Sequence, residues 1–287
     1  MIENILPAIS ENLSDKIISN KPLSGSSISS AYLLKSVKEN YFLKINSDPN
    51  GLEMFHAEQN GLLAIRETET IAVPNVQIVD KFENKAIIIM DYIESKLPDP
   101  KDYMRLGTSL AQLHSIKKEG FGFNSDNFIG SLYQSNKEHS NWSEFFWNER
   151  ISPQFNIAID NGLLNKNEIP SEDEFIDVFN QYLIEVTPTL LHGDFWGGNY
   201  IISTDGTPYL IDPAVYCGHS MVDIAMSKLF GSFGSEFYES YHKYMPKSDY
   251  YQHEIDIYQL YFLLVHLNLF GRGYYSSVSN ILNRYFK

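Results

Sequence analysis

Leu191-His192-Gly193-Asp194-Phe195-Trp196-Gly197-Gly198-Asn199 is followed, after two short apolar runs, by Asp212. The runs Tyr200-Ile201-Ile202-Ser203 and Pro208-Tyr209-Leu210-Ile211 flank Asp205-Gly206, a pair that favours a tight hairpin turn between strands. The hairpin therefore brings Asn199 at its start and Asp212 at its end to the same side. Two hard oxygen donors converging there suit Mg²⁺, which takes oxygen ligands and keeps water and phosphate oxygens for the rest of its shell. Asp194, on the loop just before them, is placed to accept the proton of an attacking hydroxyl. Carboxylate, amide and second carboxylate form the minimal set for moving a phosphoryl group from a nucleotide.

Working back toward the N-terminus, the set finds its counterpart. Tyr41-Phe42-Leu43-Lys44-Ile45 reads as a strand returning from the turn at Ser36 to Asn40. Alternation alone does not decide whether Lys44 is buried. From Gly51 to Glu67 a helix is expected, with Leu52, Phe55, Leu62 and Ile65 on one stripe and Glu58 in the gap of that stripe. An unpaired carboxylate there would cost several kcal/mol, on the order of the penalty for any buried lone charge, so a cation is expected beside it. Lys44 is the nearest candidate in sequence. A strand lysine paired with a helix glutamate is the arrangement by which kinases hold the α- and β-phosphates.

The remaining segments fit around these two halves. Residues 1–20 have isoleucines and leucines at roughly helical spacing, which predicts one or two short amphipathic helices. Lys21 to Ser30 reads as a loop of small residues leading into the strand Ala31–Lys35. In that loop Gly25, Ser26 and Ser27 could bring main-chain N–H groups to phosphates. Val73–Val79 and Ala86–Met90 are expected as strands, the second a two-sided central one because its apolar run is unbroken. Its exit, Asp91-Tyr92-Ile93, runs into Pro98-Asp99-Pro100, the expected lobe boundary. That places a nucleotide-binding lobe at 1–93 and a catalytic, substrate-binding lobe at 94–287.

Beyond Pro100 helices dominate, with Tyr103, Leu106, Leu110 and Leu113 on one stripe bordered by His114, and Trp142, Phe145 and Phe146 as expected core. Arg150 reads either as a solvated arginine or as a residue reaching the site. Ile257 to Phe270 is too short and too interrupted by polar residues to span a bilayer and is expected as a buried core helix.

Composition bounds the function. With 22 Lys and Arg against 36 Asp and Glu, the net charge is −14 and no dense basic run occurs, so a nucleic-acid partner is not expected. A protein this acidic repels a nucleotide triphosphate overall, so it must build local positive potential where the phosphates bind. The N-terminus lacks the basic and apolar regions of a signal peptide, and the one cysteine, Cys217, suits a reducing compartment. A cytoplasmic protein without a membrane partner is expected.

Taken together, Leu190 to Asn199, Ile211-Asp212-Pro213-Ala214 and the run Tyr216 to Met226 closely resemble the fructosamine kinase (ketosamine-3-kinase) family. Gly25 to Ser29, Phe121-Gly122-Phe123, Asp126 to Gly130 and Arg150 to Gln154 extend the resemblance over nearly the whole chain. The resemblance implies an α+β, two-lobe protein-kinase-like fold, with a small antiparallel-sheet N-lobe and a larger, mainly helical C-lobe. This fold is shared with aminoglycoside phosphotransferases and choline kinases.

It also implies ATP- and Mg²⁺-dependent phosphorylation of the 3-hydroxyl of a ketosamine, free or on a glycated protein, and hence a part in protein deglycation. By the same resemblance Asp194 is the catalytic base, and Asn199 and Asp212 hold the metal. Lys44 and Glu58 pair at the phosphates, and Asp91, Tyr92 and Ile93 form the adenine hinge. Trp196 and Arg150 are the candidate substrate residues, and Asp223 braces the catalytic loop. Ser26 stands where members commonly carry a second glycine, a departure that bears on nucleotide affinity. A kinase of the aminoglycoside or choline type and a nucleotide-binding pseudokinase are the alternatives.

Overall fold

The structure is a computed structural model and describes residues 2–23, 29–183, 185–231 and 233–287. Helix α1 (Leu6–Leu13) precedes strands β1 (Ile17–Leu23), β2 (Ser30–Ser36) and β3 (Asn40–Asn46), helix α2 (Gly51–Arg66), and strands β4 (Val76–Phe82) and β5 (Lys85–Asp91). The five strands form one antiparallel sheet in the order β1-β2-β3-β5-β4.

Two expectations are corrected here. Ile17 to Leu23 is an edge strand rather than helix and loop, because the chain turns at Ser14, which takes a left-handed conformation, and Ile17 pairs with Ser36. Strand β4 begins three residues later than predicted, after Pro74, whose missing N–H cannot serve a ladder.

Strand β5 is two-sided as its apolar run requires. Ile87 and Ile89 face a core with Leu43, Leu34 and Ile9, whereas Ala86, Ile88 and Met90 face α2 and the core of the helical part. Lys44 lies opposite Ile88 and shares that second face. An unbroken apolar ladder on both sides of the sheet leaves the lysine nowhere to go but toward α2.

The chain then enters α3 (Pro100–Ser115). Its N-terminus is specified by Asp99, whose carboxylate accepts the amides of Lys101 and Asp102 while Asp102 reciprocates, with Pro100 in the first turn. A short hairpin, β6 (Asn127–Ile129) and β7 (Leu132–Gln134), leads to α4 (Trp142–Phe146), α5 (Ser152–Asp160) and α6 (Glu172–Tyr182). Strands β8 (Thr189–Leu191) and β11 (Tyr216–Gly218) pair antiparallel around the hairpin of β9 (Tyr200–Ile202) and β10 (Pro208–Leu210). Helices α7 (Met221–Leu229), α8 (Ser235–Tyr244), α9 (Tyr251–Phe270) and α10 (Tyr275–Tyr285) complete the chain.

Helix α9 is the expected core helix, buried along Ile255, Ile257, Leu260, Leu264 and Leu267, and it stops at Gly271, whose φ is 85°. Among the described residues no helix is long and apolar enough to cross a membrane. The architecture is the α+β arrangement of an antiparallel sheet beside a larger helical part.

Candidate active site

Strands β8 and β11 deliver the loop 192–199 and the segment 212–215 to one another. The carbonyl of His192 accepts the amide of Ala214 at 2.9 Å, and that of Asn199 accepts the amide of Ile211 at 3.1 Å. This close approach requires Gly193: its φ is +82°, and a Cβ there would lie 2.0 Å from the carbonyl oxygen of Ala214. His192 then bridges the two segments. Its Nε2 donates to the Ile211 carbonyl at 2.9 Å, so its Nδ1 accepts from the amide of Asp194 at 3.2 Å. The ring is thereby fixed as the neutral Nε2–H tautomer, in keeping with a pKa that burial lowers.

Asp223, on α7, carries the loop from behind. Its two oxygens accept the amides of His192 and Gly193 at 2.7 and 2.9 Å, and His114 Nε2 donates to it at 3.1 Å. Tyr241 meets the other nitrogen of His114 at 2.8 Å. The brace expected of Asp223 is present. His114, read from the sequence only as the border of a helical stripe, is its buried partner; a polar side chain on a core stripe needs one.

Asp194 opens into a cleft also lined by Lys44, Glu58, Asn199 and Asp212, so the five residues singled out from separate parts of the chain meet. Lys44 Nζ is 2.8 Å from Glu58 and also contacts Asp212. Burial alone would lower the lysine pKa, but the carboxylates of Asp212 and Glu58 override it and raise it. Desolvation would raise Asp212, and the Lys44 ammonium instead holds it below the ordinary carboxylate value. Glu58, more deeply enclosed, is pushed up to about 7 by burial against the pull of Lys44. Asp194 is likewise raised to about 7 by desolvation, opposed by its hydrogen bond from Asn199.

Asn199 Nδ2 donates to both the carbonyl oxygen and the carboxylate of Asp194, at 2.8 and 3.0 Å. With its nitrogen so committed, the carbonyl oxygen of Asn199 is the atom left for a cation. Asp212 holds a left-handed φ of 54°, an uncommon conformation that aspartate tolerates and that functional sites retain when their surroundings enforce it. An all-oxygen pair, one member charged, fits Mg²⁺ rather than a softer ion. Among the described residues no three His, Cys, Asp or Glu side chains form a metal-holding group, so water and phosphate would complete the shell.

Trp196 lies at the cleft with 38% of its surface exposed, its ring stacked against Gly198, where a Cβ would come within 2.4 Å of the indole. Arg150 is elsewhere. A π-helical turn over Trp147–Ile151 swings it inward, where it is 0% exposed, lies 3.9 Å from the centre of the Tyr216 ring and donates to Ser135 and Asn136. It is neither solvated nor part of the cleft lining, and it supports the irregular segment that follows β7 instead.

Of the hinge residues, Asp91 and Tyr92 spend their amides on the carbonyls of Asn75 and Asn40, and the Asp91 carboxylate accepts from Asn75 and Gln77. The amide of Ile93 has no partner among the described residues. Gly25, Ser26 and Ser27 lie outside the described residues. His219, which the sequence left without a role, meets the Tyr258 hydroxyl at 2.7 Å, and Trp142 Nε1 donates to the same hydroxyl at 2.8 Å.

One contribution to the cleft had little signal in the sequence beyond apolarity. Phe262, Val265, His266, Leu269 and Phe270 of α9, together with Phe128 and Ile129 of the β6–β7 hairpin, also line it.

Comparison with known proteins gives the family and the fold. The sequence model of the fructosamine kinase family matches residues 1–287. A probable ketoamine kinase of Vibrio parahaemolyticus is 41% identical over 287 residues, covering 96% of this chain and 98% of the relative. A chloroplastic protein-ribulosamine 3-kinase of Oryza sativa is 36% identical, covering 97% and 82%. Among solved structures, a Haemophilus somnus protein provisionally assigned as a fructosamine-3-kinase superposes with a TM-score of 0.88 at 26% identity, covering 100% of this chain and 98% of that one. An aminoglycoside phosphotransferase crystallised with ADP and hygromycin B superposes at 0.64 and 15% identity, covering 99% of each, which is a likeness of fold. The chain belongs to the fructosamine kinase family and is an ATP-dependent phosphotransferase.

Proposed function

We propose that this protein transfers the γ-phosphoryl group of ATP to the 3-hydroxyl of a ketosamine, a fructosamine or ribulosamine either free or on a glycated protein lysine. Residues 1–93 act as the nucleotide-binding lobe and 94–287 as the catalytic lobe. The observation that carries the reading is the position of Asp194, held by Asn199 in the same cleft as the Lys44, Glu58 and Asp212 cluster.

In this reading the acceptor hydroxyl gives its proton to Asp194 while its oxygen bonds to the γ-phosphorus and the bond to the β,γ-bridging oxygen breaks, releasing ADP. A carboxylate raised to about 7 is matched to that task near neutral pH. Lys44, kept protonated by its two carboxylate neighbours, supplies the local positive charge that the phosphates need in a protein of net charge −14. Glu58 fixes the direction of the lysine, and Asp223 with His114 fixes the loop that bears Asp194. Asn199 and Asp212 would hold Mg²⁺, which when bound neutralises charge on the transferring phosphoryl group. Trp196 offers an aromatic face beside the acceptor sugar, and Ile93 offers the free amide at the adenine side.

The relatives named for ketoamines and for protein-bound ribulosamine support the choice of acceptor. The test is an ATP-coupled assay over fructosyl-lysine, ribulosyl-lysine, aminoglycosides and choline. Preference for a ketosamine is expected, and preference for an aminoglycoside or choline would reject the substrate assignment. Binding of ATP and Mg²⁺ without transfer to any acceptor would instead mark a pseudokinase.

A further inference from the structure

The cleft is chemically divided. Lys44, Glu58, Asp194, Asn199 and Asp212 supply its charged and polar lining, and Phe262, Val265, Leu269 and Phe270 of α9 supply an apolar wall. Beyond the lining, further rings pack on this apolar wall as an aromatic apron. The ring of His266 lies 4.7 Å from Phe230, 5.4 Å from Phe270 and 5.2 Å from Tyr274, and Phe270 lies 6.3 Å from Tyr274. His266 is held in place by donating Nδ1–H to the Phe262 carbonyl at 2.7 Å, so the apron has a fixed centre. Phe270 is nevertheless 58% exposed and Phe230 41% exposed. Phe270, at the end of the buried helix α9 and on the cleft lining, and Phe230, the residue after α7, both packed on His266, are a surface for an apolar group.

A ketosamine is a polyol except at one place. Every sugar carbon except C1, which bears the amine nitrogen, carries a hydroxyl or carbonyl oxygen that must be matched by a hydrogen-bonding group, and the aliphatic and phenyl side chains of the α9 wall offer none. The part of the acceptor that can meet this wall without loss is the substituent on its amine nitrogen. We infer that Phe270, with Phe230 beside it, forms a subsite for the amine-side substituent of the acceptor and selects uncharged apolar substituents, alkyl or aryl, there. The inference rests on the ketosamine reading above and deepens it. An acceptor whose amine carries only a small or carboxylate-bearing group gains nothing from the apron, whereas an alkyl stem or an aromatic ring buries surface against it.

The test is a series of fructosamines on methylamine, n-butylamine and 2-phenylethylamine, with kcat/KM measured for the full-length protein and for Phe270→Ala and Phe230→Ser. Wild type is expected to favour the phenylethyl over the methyl member by about tenfold or more, mainly through acceptor KM. In Phe270→Ala the series flattens to within about twofold, while the KM for ATP stays at the wild-type value, and Phe230→Ser flattens it partly. Both side chains are solvent-exposed, so their loss leaves the core packing in place. Equal kcat/KM across the series in wild type, or an unchanged slope in Phe270→Ala, overturns the inference while leaving the ketosamine reading intact. Absence of transfer to every fructosamine, with another alcohol phosphorylated, overturns that reading and the inference with it.

Discussion

Asn199 donates to Asp194 twice, once to its carbonyl oxygen at 2.8 Å and once to its carboxylate at 3.0 Å. One side chain thus fixes both the backbone and the carboxylate of the residue five positions before it, and leaves its own oxygen as the atom proposed to meet Mg²⁺. Asn199→Ala removes all three roles together. It is expected to lower kcat by about 10²-fold or more while the protein remains folded, which steady-state kinetics beside thermal melting would check.

Asp223 acts one layer deeper. It is fully buried and accepts three hydrogen bonds, from His114 and from the amides of His192 and Gly193. Asp223→Ala leaves two buried N–H groups and an imidazole without their acceptor, a loss of about 3 kcal/mol or more. Urea unfolding should register that loss. The same change frees the loop under Asp194, so kcat is expected to fall even at temperatures where the variant is folded.

His219 gives a pH dependence whose sign is fixed by its burial. Desolvation lowers its pKa to about 3 in the folded chain, against about 6.5 when unfolded. The unfolded chain therefore binds a proton that the folded chain refuses, and this contribution to stability, complete above about pH 6.5, is lost as pH falls toward 3. His219→Gln keeps an acceptor for the Tyr258 hydroxyl and has no proton to gain. The stability advantage of wild type over the variant is expected to shrink between pH 7 and pH 4, as unfolding curves at the two ends would measure.

The convergence of Asp194, Asn199 and Asp212 was legible in the sequence because it is local. Asp194, Asn199 and Asp212 lie within a loop and a hairpin, where spacing alone dictates convergence. Glu58 was legible for a different reason, as a carboxylate interrupting an apolar stripe, and it carried Lys44 with it. Reading strand β3 by alternation could not decide the burial of Lys44, because this sheet is covered on both faces.

Apart from the start of β4, which Pro74 sets locally, what the sequence left misread or unread depended on a partner distant in sequence. Ile17 has helical spacing with the residues before it but is claimed by pairing with Ser36 of β2, and Ile18 falls at the irregularity between the Ile17 and Ser19 pairs. Arg150 reads from the sequence as solvated or as reaching the site because nothing local announces the π turn that aims it at Tyr216, 66 positions on. The role of His219 required Tyr258 on a helix that the sequence marks only as apolar. The same holds for the α9 wall: an apolar helix announces that it is buried, and only the packed structure says which of its residues border a cleft.

The central claim is that Asp194 accepts the proton of the acceptor hydroxyl. Its most direct test is phosphoryl transfer from ATP to fructosyl-lysine by Asp194→Asn, measured beside nucleotide binding by the same protein. The variant is expected to bind ATP with Mg²⁺ while its kcat falls by about 10³-fold; turnover within a few-fold of wild type would contradict the role assigned to Asp194.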